Sequence, residues 1–134
     1  GRFVAFYLLC GLAAALTEVL VQSHSALPLV GASGAIGGVM GAYAVLYPRA
    51  RVEMLFIIVF YITRIPVPAI VVLGYWFVIQ FFAGVGSLGL DGSGGTAFWA
   101  HAGGFLAGVT LIVPFRDPRM VAAHRARHGL GFRR

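Results

Sequence analysis

A chain of 134 residues that is 60% hydrophobic and 10% charged, with a mean hydropathy of +0.91, is far from the composition of a soluble domain and reads as a polytopic membrane protein of the all-α helix-bundle class. Ten arginines and no lysine stand against Glu18, Glu53, Asp91 and Asp117 for a formal charge of +6, but they gather at the edges of apolar segments, which argues for membrane lipid and against nucleic acid as the partner. Cys10 is the only cysteine, which excludes an internal disulfide and a multi-cysteine metal site, and its apolar neighbours make it a packing residue.

At about 20 apolar residues per crossing, the length allows about four spans. Gly1-Arg2 leads directly into an apolar segment with no initiator Met and no signal-like leader, so the chain reads as N-terminally truncated. Residues 3–21 form the first span, which leaves the hydrocarbon at Gln22-Ser23-His24-Ser25; a short loop with Pro28 follows. The second, a short one, covers residues 32–47 and is ended by Pro48, with Arg49 and Arg51 at a polar surface. Residues 52–63 are apolar but few, contain Glu53 and precede Arg64-Ile65-Pro66-Val67-Pro68, which predicts an interfacial or re-entrant piece. A third span covers residues 68–83, with Tyr75 and Trp76 in it. The Gly/Ser-rich stretch 84–95 reads as a loop, and residues 97–115 form the last span. Residues 1–115 are thus a membrane domain and residues 116–134 a basic tail, solvated or facing lipid headgroups.

The connections 22–31 and 84–96 lack Lys and Arg, so all ten arginines fall on alternate connections. The positive-inside rule then makes the arginine side and the C-terminus cytoplasmic.

Gly31-Ala32-Ser33-Gly34 opens the second span, and Ala100-His101-Ala102-Gly103-Gly104-Phe105-Leu106-Ala107-Gly108 opens the fourth. Singly, such a serine is usually a packing residue and such a histidine often a satisfied structural group. Depth brings them together. Ser33 lies sixteen residues before Arg49 and His101 fifteen before Arg116, so at the helical rise both stand roughly 22–24 Å above the arginine boundary, several Å inside a ~30 Å hydrocarbon core. Gly34 with Gly38, Gly37 with Gly41 and Gly104 with Gly108 are small residues four apart that let the helices meet. The expected surfaces carry Ser33, Gly37 and Gly41 on one helix and His101, Gly104 and Gly108 on the other.

A serine hydroxyl needs a base within hydrogen-bond reach, and neutral His101 supplies one. Glu18 sits near the end of another span and Asp91 in the Gly-rich loop, so a Ser/His dyad is expected in place of a triad. Free N–H groups at the helix start, around Ala32, Ser33 and Gly34, suit an oxyanion. His24, His124 and His128 read as solvated loop or tail residues. Trp76, Trp99 and the phenylalanines read as lipid-facing or interfacial anchors, with Phe98 and Trp99 possible borders of a substrate entrance.

The paired strings resemble the GxSG and AHxxGxxxG motifs of the rhomboid family of intramembrane serine proteases, and the likeness covers nearly the whole chain, with its start similar to the third helix of a six-helix core. The resemblance implies proteolysis of transmembrane protein substrates near the outer membrane surface, through acylation of Ser33, with His101 as base and then acid; the expected location is the plasma (inner) membrane of a prokaryote. It implies no metal and no organic cofactor. In the family, a backbone N–H of the serine and His and Asn side chains from the preceding helix bind the oxyanion; of these only Ser33 N–H, with Ala32 N–H beside it, carries over. Gly31, Gly34, Gly37, Gly41, Gly104 and Gly108 are the expected packing glycines of the site. Gly37 departs from members that place a stacking Tyr four residues after the nucleophile, so support for His101 has to come from elsewhere. A fragment without the first two helices is expected to be inactive or poorly folded alone. The alternative is a non-catalytic rhomboid-like protein that binds transmembrane segments, which needs neither Ser33 nor His101. A transporter fragment would show mid-span charges, for which Glu18 is the lone candidate.

Overall fold

A computed structural model describes residues 1–23, 31–58, 60–88 and 97–127. In chain order the elements are α1 (Arg2–Val21), α2 (Ser33–Leu46), a hairpin of β1 (Arg51–Ile58) and β2 (Tyr61–Pro68), α3 (Ala69–Ser87), α4 (Phe98–Phe115) and α5 (Pro118–Arg127). Helices α1, α3 and α4 are long and apolar enough to cross a membrane. Helix α2 has 14 residues and is apolar but short, about 21 Å at the helical rise.

Four glycines in 14 residues make α2 a poor helix by propensity, at about 1 kcal/mol each relative to alanine. Packing explains why it forms: α2 packs on both α1 and α4, and on the α4 side its glycines are where the backbones touch. A Cβ on Gly104 would strike the Gly34 carbonyl, one on Gly108 the Gly38 carbonyl, and one on Gly41 the Phe105 carbonyl. On the α1 side, Gly34 faces Ala14 and Gly38 faces Cys10. With lipid outside, such close van der Waals contact supplies the association that hydrophobic burial gives in water. Cys10 is fully buried and joins Phe6, Ala42 and Ile112 in the core.

Helix α1 runs antiparallel to α4. At one end Arg2 Nη2 donates to Pro114 O at 3.1 Å; at the other, Glu18 meets the first turn of α4. The bundle therefore has an arginine end, with Arg2, Arg49, Arg51 and Arg116, and an opposite end where α2 and α4 begin.

The described residues of 52–63, expected as an interfacial or re-entrant piece, belong to an antiparallel hairpin with Arg51 opposite Pro68 and Ile58 opposite Tyr61. Its Val, Ile, Phe, Tyr and Thr favour strands, and Pro66 and Pro68, unfit for a helix interior, are tolerated because both strands are edges. The third span extends beyond residue 83 through Gly84 and Gly86 to Ser87, and the expected 84–95 loop from residue 89 on lies outside the described residues. The tail contains the unforeseen helix α5. Asp117 Oδ1 accepts from Arg119 N–H at 2.9 Å and Pro118 stands at the first position, a side-chain cap followed by a pre-set φ. His24, Asp91, His128, Arg133 and Arg134 lie outside the described residues.

Candidate active site

Gly31, at φ +133°, turns the chain into α2 through Ala32, and Ser33 is the first helical residue. Among the described residues a Cβ on Gly31 would meet Ser33 alone, at Oγ 3.7 Å and N 4.0 Å, and the residue is exposed, so no contact between helices stands behind the expected packing role there; Gly31 serves a backbone angle that L side chains rarely adopt. The first hydrogen bond of the α2 ladder runs from Ile36 N–H to Ala32 O at 3.0 Å. The N–H groups of Ser33, Gly34 and Ala35 therefore precede the ladder and point out of the helix head. Ser33 is exposed while Gly34 and Ala35 are buried, which leaves the hydroxyl at the open end of a packed helix.

His101 projects from the first turn of α4, fixed by two contacts. Its own N–H donates to Ala97 O at 3.2 Å, and the N–H of Ala100 donates to Glu18 Oε2 at 2.7 Å. Glu18, weighed in the sequence as an orienting acid for the imidazole, is thus a cap that crosses from α1 and places a carboxylate on the positive end of α4.

Ser33 Oγ and His101 Nε2 are 2.8 Å apart, and His101 Nδ1 is 2.8 Å from Gln80 Oε1 on α3. An amide oxygen only accepts, so Nδ1 carries the proton and Nε2 is left with the lone pair that accepts from the serine hydroxyl. This tautomer is the one a general base needs. Gln80 was not foreseen; the only signal for it is an uncharged polar side chain within an otherwise apolar span.

Behind the imidazole stands Trp76, also on α3, with ring centroids 5.8 Å apart and planes at 40°. The indole continues onto Phe105 at 6.2 Å, and Phe77 meets Phe105 at 4.9 Å. A Cβ on Gly37 would lie 3.6 Å from Trp76 Cη2 and 3.1 Å from His101 O. Trp76 therefore fills space beside His101 that a larger residue at position 37 would claim. Trp99 packs on Gly84, 3.0 Å from where its Cβ would be, and edge-on to Phe81 at 5.8 Å. Both tryptophans, expected to face lipid or the interface, are half-buried in an aromatic seam that holds α3 against α4.

The expected pairing of glycine faces is also refined. Gly34 and Gly38 meet Gly104 and Gly108, while Gly37 and Gly41 meet the backbone of His101 and Phe105. Among the described residues no three His, Cys, Asp or Glu side chains gather as metal ligands. A cavity of about 410 Å³, lined by Phe6, Tyr43, Phe115 and Met120 among others, lies at the arginine end, away from the Ser33–His101 pair.

A family model described as the Rhomboid domain matches residues 1–118. No match was found among curated proteins or among solved structures.

Proposed function

The chain belongs to the rhomboid family, and from that premise we propose that it is an intramembrane serine endopeptidase cleaving transmembrane protein substrates, with Ser33 as nucleophile and His101 as general base. The observation that carries this reading is the 2.8 Å contact from Ser33 Oγ to Nε2 of an imidazole whose Nδ1–H is already engaged by Gln80.

As the hydroxyl attacks a scissile carbonyl, its proton passes to Nε2 and the carbonyl π electrons move onto oxygen. The N–H of Ser33, with Ala32 beside it, lies at the head of α2, where the helix dipole favours that negative charge. Collapse breaks the C–N bond, and the leaving amine takes the proton from Nε2. Water, deprotonated by the same nitrogen, then releases the acyl group and restores Ser33. The reading invokes no metal and no organic cofactor.

The proposal includes a placement in the bilayer: the arginine end, with the C-terminus, on the cytoplasmic side, supported by the positive-inside rule, the dyad toward the outer side, and the plasma (inner) membrane of a prokaryote as the setting. A ~21 Å helix whose other end is held at the cytoplasmic boundary of a ~30 Å core leaves Ser33 several Å below the outer surface, so water reaches the dyad through a recess.

A fluorophosphonate probe tests the reading on the detergent-solubilised full-length protein. Labelling of the wild type that is lost in both Ser33→Ala and His101→Ala is expected. A folded wild type that takes no label would support the other reading, a non-catalytic rhomboid-like protein that binds transmembrane segments.

A further inference from the structure

The hairpin β1–β2 takes no part in the dyad, yet its pattern is specific. Directly opposed residues of an antiparallel pair project to the same side. The register therefore puts Val52, Met54, Phe56, Thr63, Ile65 and Val67 on one face. The other face carries Arg51, Glu53, Arg64 and Pro66 over its base, then Leu55, Ile57 and Ile62 toward the tip. One face is thus apolar along its described length apart from Thr63, while the other is charged toward its base, where Arg64 and Glu53 form an ion pair at 3.7 Å. Phe60 at the tip is 98% exposed, and Ile57 and Ile62 are 65% exposed. A two-stranded ribbon presenting such a surface to water is marginal by itself.

The base of the hairpin is tied to the bundle. Ala69 N–H donates to Ala50 O at 2.7 Å and Ile70 N–H to Pro48 O at 3.2 Å, which fastens the end of α2 to the start of α3. The hairpin consequently leaves the bundle at the level where hydrocarbon gives way to headgroups. There Arg49, Arg51 and Arg64 outnumber Glu53, a charge that complements anionic phospholipid and falls where its phosphates lie.

We propose that the hairpin is a membrane-surface anchor: its Val52, Met54, Phe56, Ile65 and Val67 face and its tip rest in the lipid of an anionic leaflet, and its Arg51, Glu53 and Arg64 face is turned to water. This is a monotopic amphipathic element built from strands in place of a helix. A crossing hairpin is excluded by the same pattern, because it would carry Arg64 and Glu53 into hydrocarbon and leave both strand edges without partners there. The anchor joins α2, which bears Ser33, to α3, which bears Gln80, so it sets the height of both in the bilayer. The proposal rests on membrane placement and not on catalysis.

The test uses the full-length protein in nanodiscs containing phosphatidylglycerol, with Met54→Cys, Ile65→Cys, Glu53→Cys and Pro66→Cys each labelled with bimane. Wild type, whose Cys10 is 0% exposed, serves as the blank. Chain-labelled doxyl phospholipid should quench positions 54 and 65 severalfold more than aqueous iodide does, and the ratio should invert at 53 and 66. Two sites on each face keep the result readable if one variant fails to fold. Equal iodide quenching on both faces, shielding of 54 and 65 from both quenchers, or lipid quenching on both faces would each overturn the anchor. In phosphatidylcholine alone the lipid quenching at 54 and 65 should fall, and an unchanged value would overturn the part given to the arginines.

Discussion

Gln80 Oε1 lies 2.8 Å from His101 Nδ1, and this bond between α3 and α4 decides which imidazole nitrogen faces Ser33. Ser33 and His101, the proposed nucleophile and base, come from α2 and α4, but the tautomer comes from a third helix. Replacing Gln80 by Leu leaves Nδ1–H without its acceptor in a low-dielectric setting and frees the ring to turn or to exchange tautomers. Fluorophosphonate labelling should slow on the order of ten- to a hundredfold in Gln80→Leu. Gln80→Glu, which keeps an oxygen acceptor, should restore most of the rate. Equal rates in wild type and Gln80→Leu, at equal thermal stability, would remove Gln80 from the mechanism.

Trp76 carries a second prediction. Its indole lies beside His101 and over Gly37, where the short side of α2 leaves room. Trp76→Ala should open that space, reduce stability by about 1–3 kcal/mol because the residue is only half-buried, and let the imidazole leave its rotamer. Trp76→Phe keeps an aromatic wall and should retain activity closer to wild type. The measurement is labelling rate against unfolding midpoint for both variants. A rate that merely tracks stability would reduce Trp76 to packing.

The contrast between Ser33–His101 and Gln80 shows what a sequence can carry. Ser33 and His101 sit in strings whose neighbours are glycines at fixed intervals, and their distances from Arg49 and Arg116 give a common depth, so their proximity is legible. Gln80 has no such frame: which way it points depends on the rotation of α3 against α4, set by Trp76, Phe77 and Trp99 through contacts far apart in the chain. The hairpin escapes because Leu55, Ile57 and Ile62 make its tip apolar on both sides and mask the two-residue alternation. Helix α5 was within reach, since Asp117-Pro118 is a start signal that the arginines around it obscure.

Glu18 gives a third prediction, about stability before activity. Its carboxylate accepts from Ala100 N–H at 2.7 Å, at the positive end of the helix that presents His101. Glu18→Gln keeps an acceptor and loses the charge, which should cost about 0.5–1 kcal/mol; Glu18→Ala loses both and should cost about 1–2 kcal/mol. Thermal unfolding should rank wild type above Gln above Ala. The reverse order, or a wholly inactive Glu18→Gln that is as stable as wild type, would mean that the carboxylate acts on the imidazole directly.

Glycines of the same type should give opposite results according to what surrounds them. A Cβ at Gly104 would run into the Gly34 carbonyl, and backbone on both sides leaves nothing flexible to move. Gly104→Ala must therefore push α4 away from α2, with a loss of about 1–3 kcal/mol or more from overpacking. The same displacement draws His101 Nε2 away from Ser33 Oγ, so labelling should fall further than stability alone accounts for. Gly74 on α3 has nothing within 4 Å of its Cβ position. There Gly74→Ala should be neutral or gain up to about 1 kcal/mol from helix propensity, with labelling unchanged. Unfolding midpoints and labelling rates of the two variants, measured side by side, decide the matter: a Gly104→Ala protein as stable and as reactive as Gly74→Ala would mean that α2 and α4 do not meet through their glycine backbones.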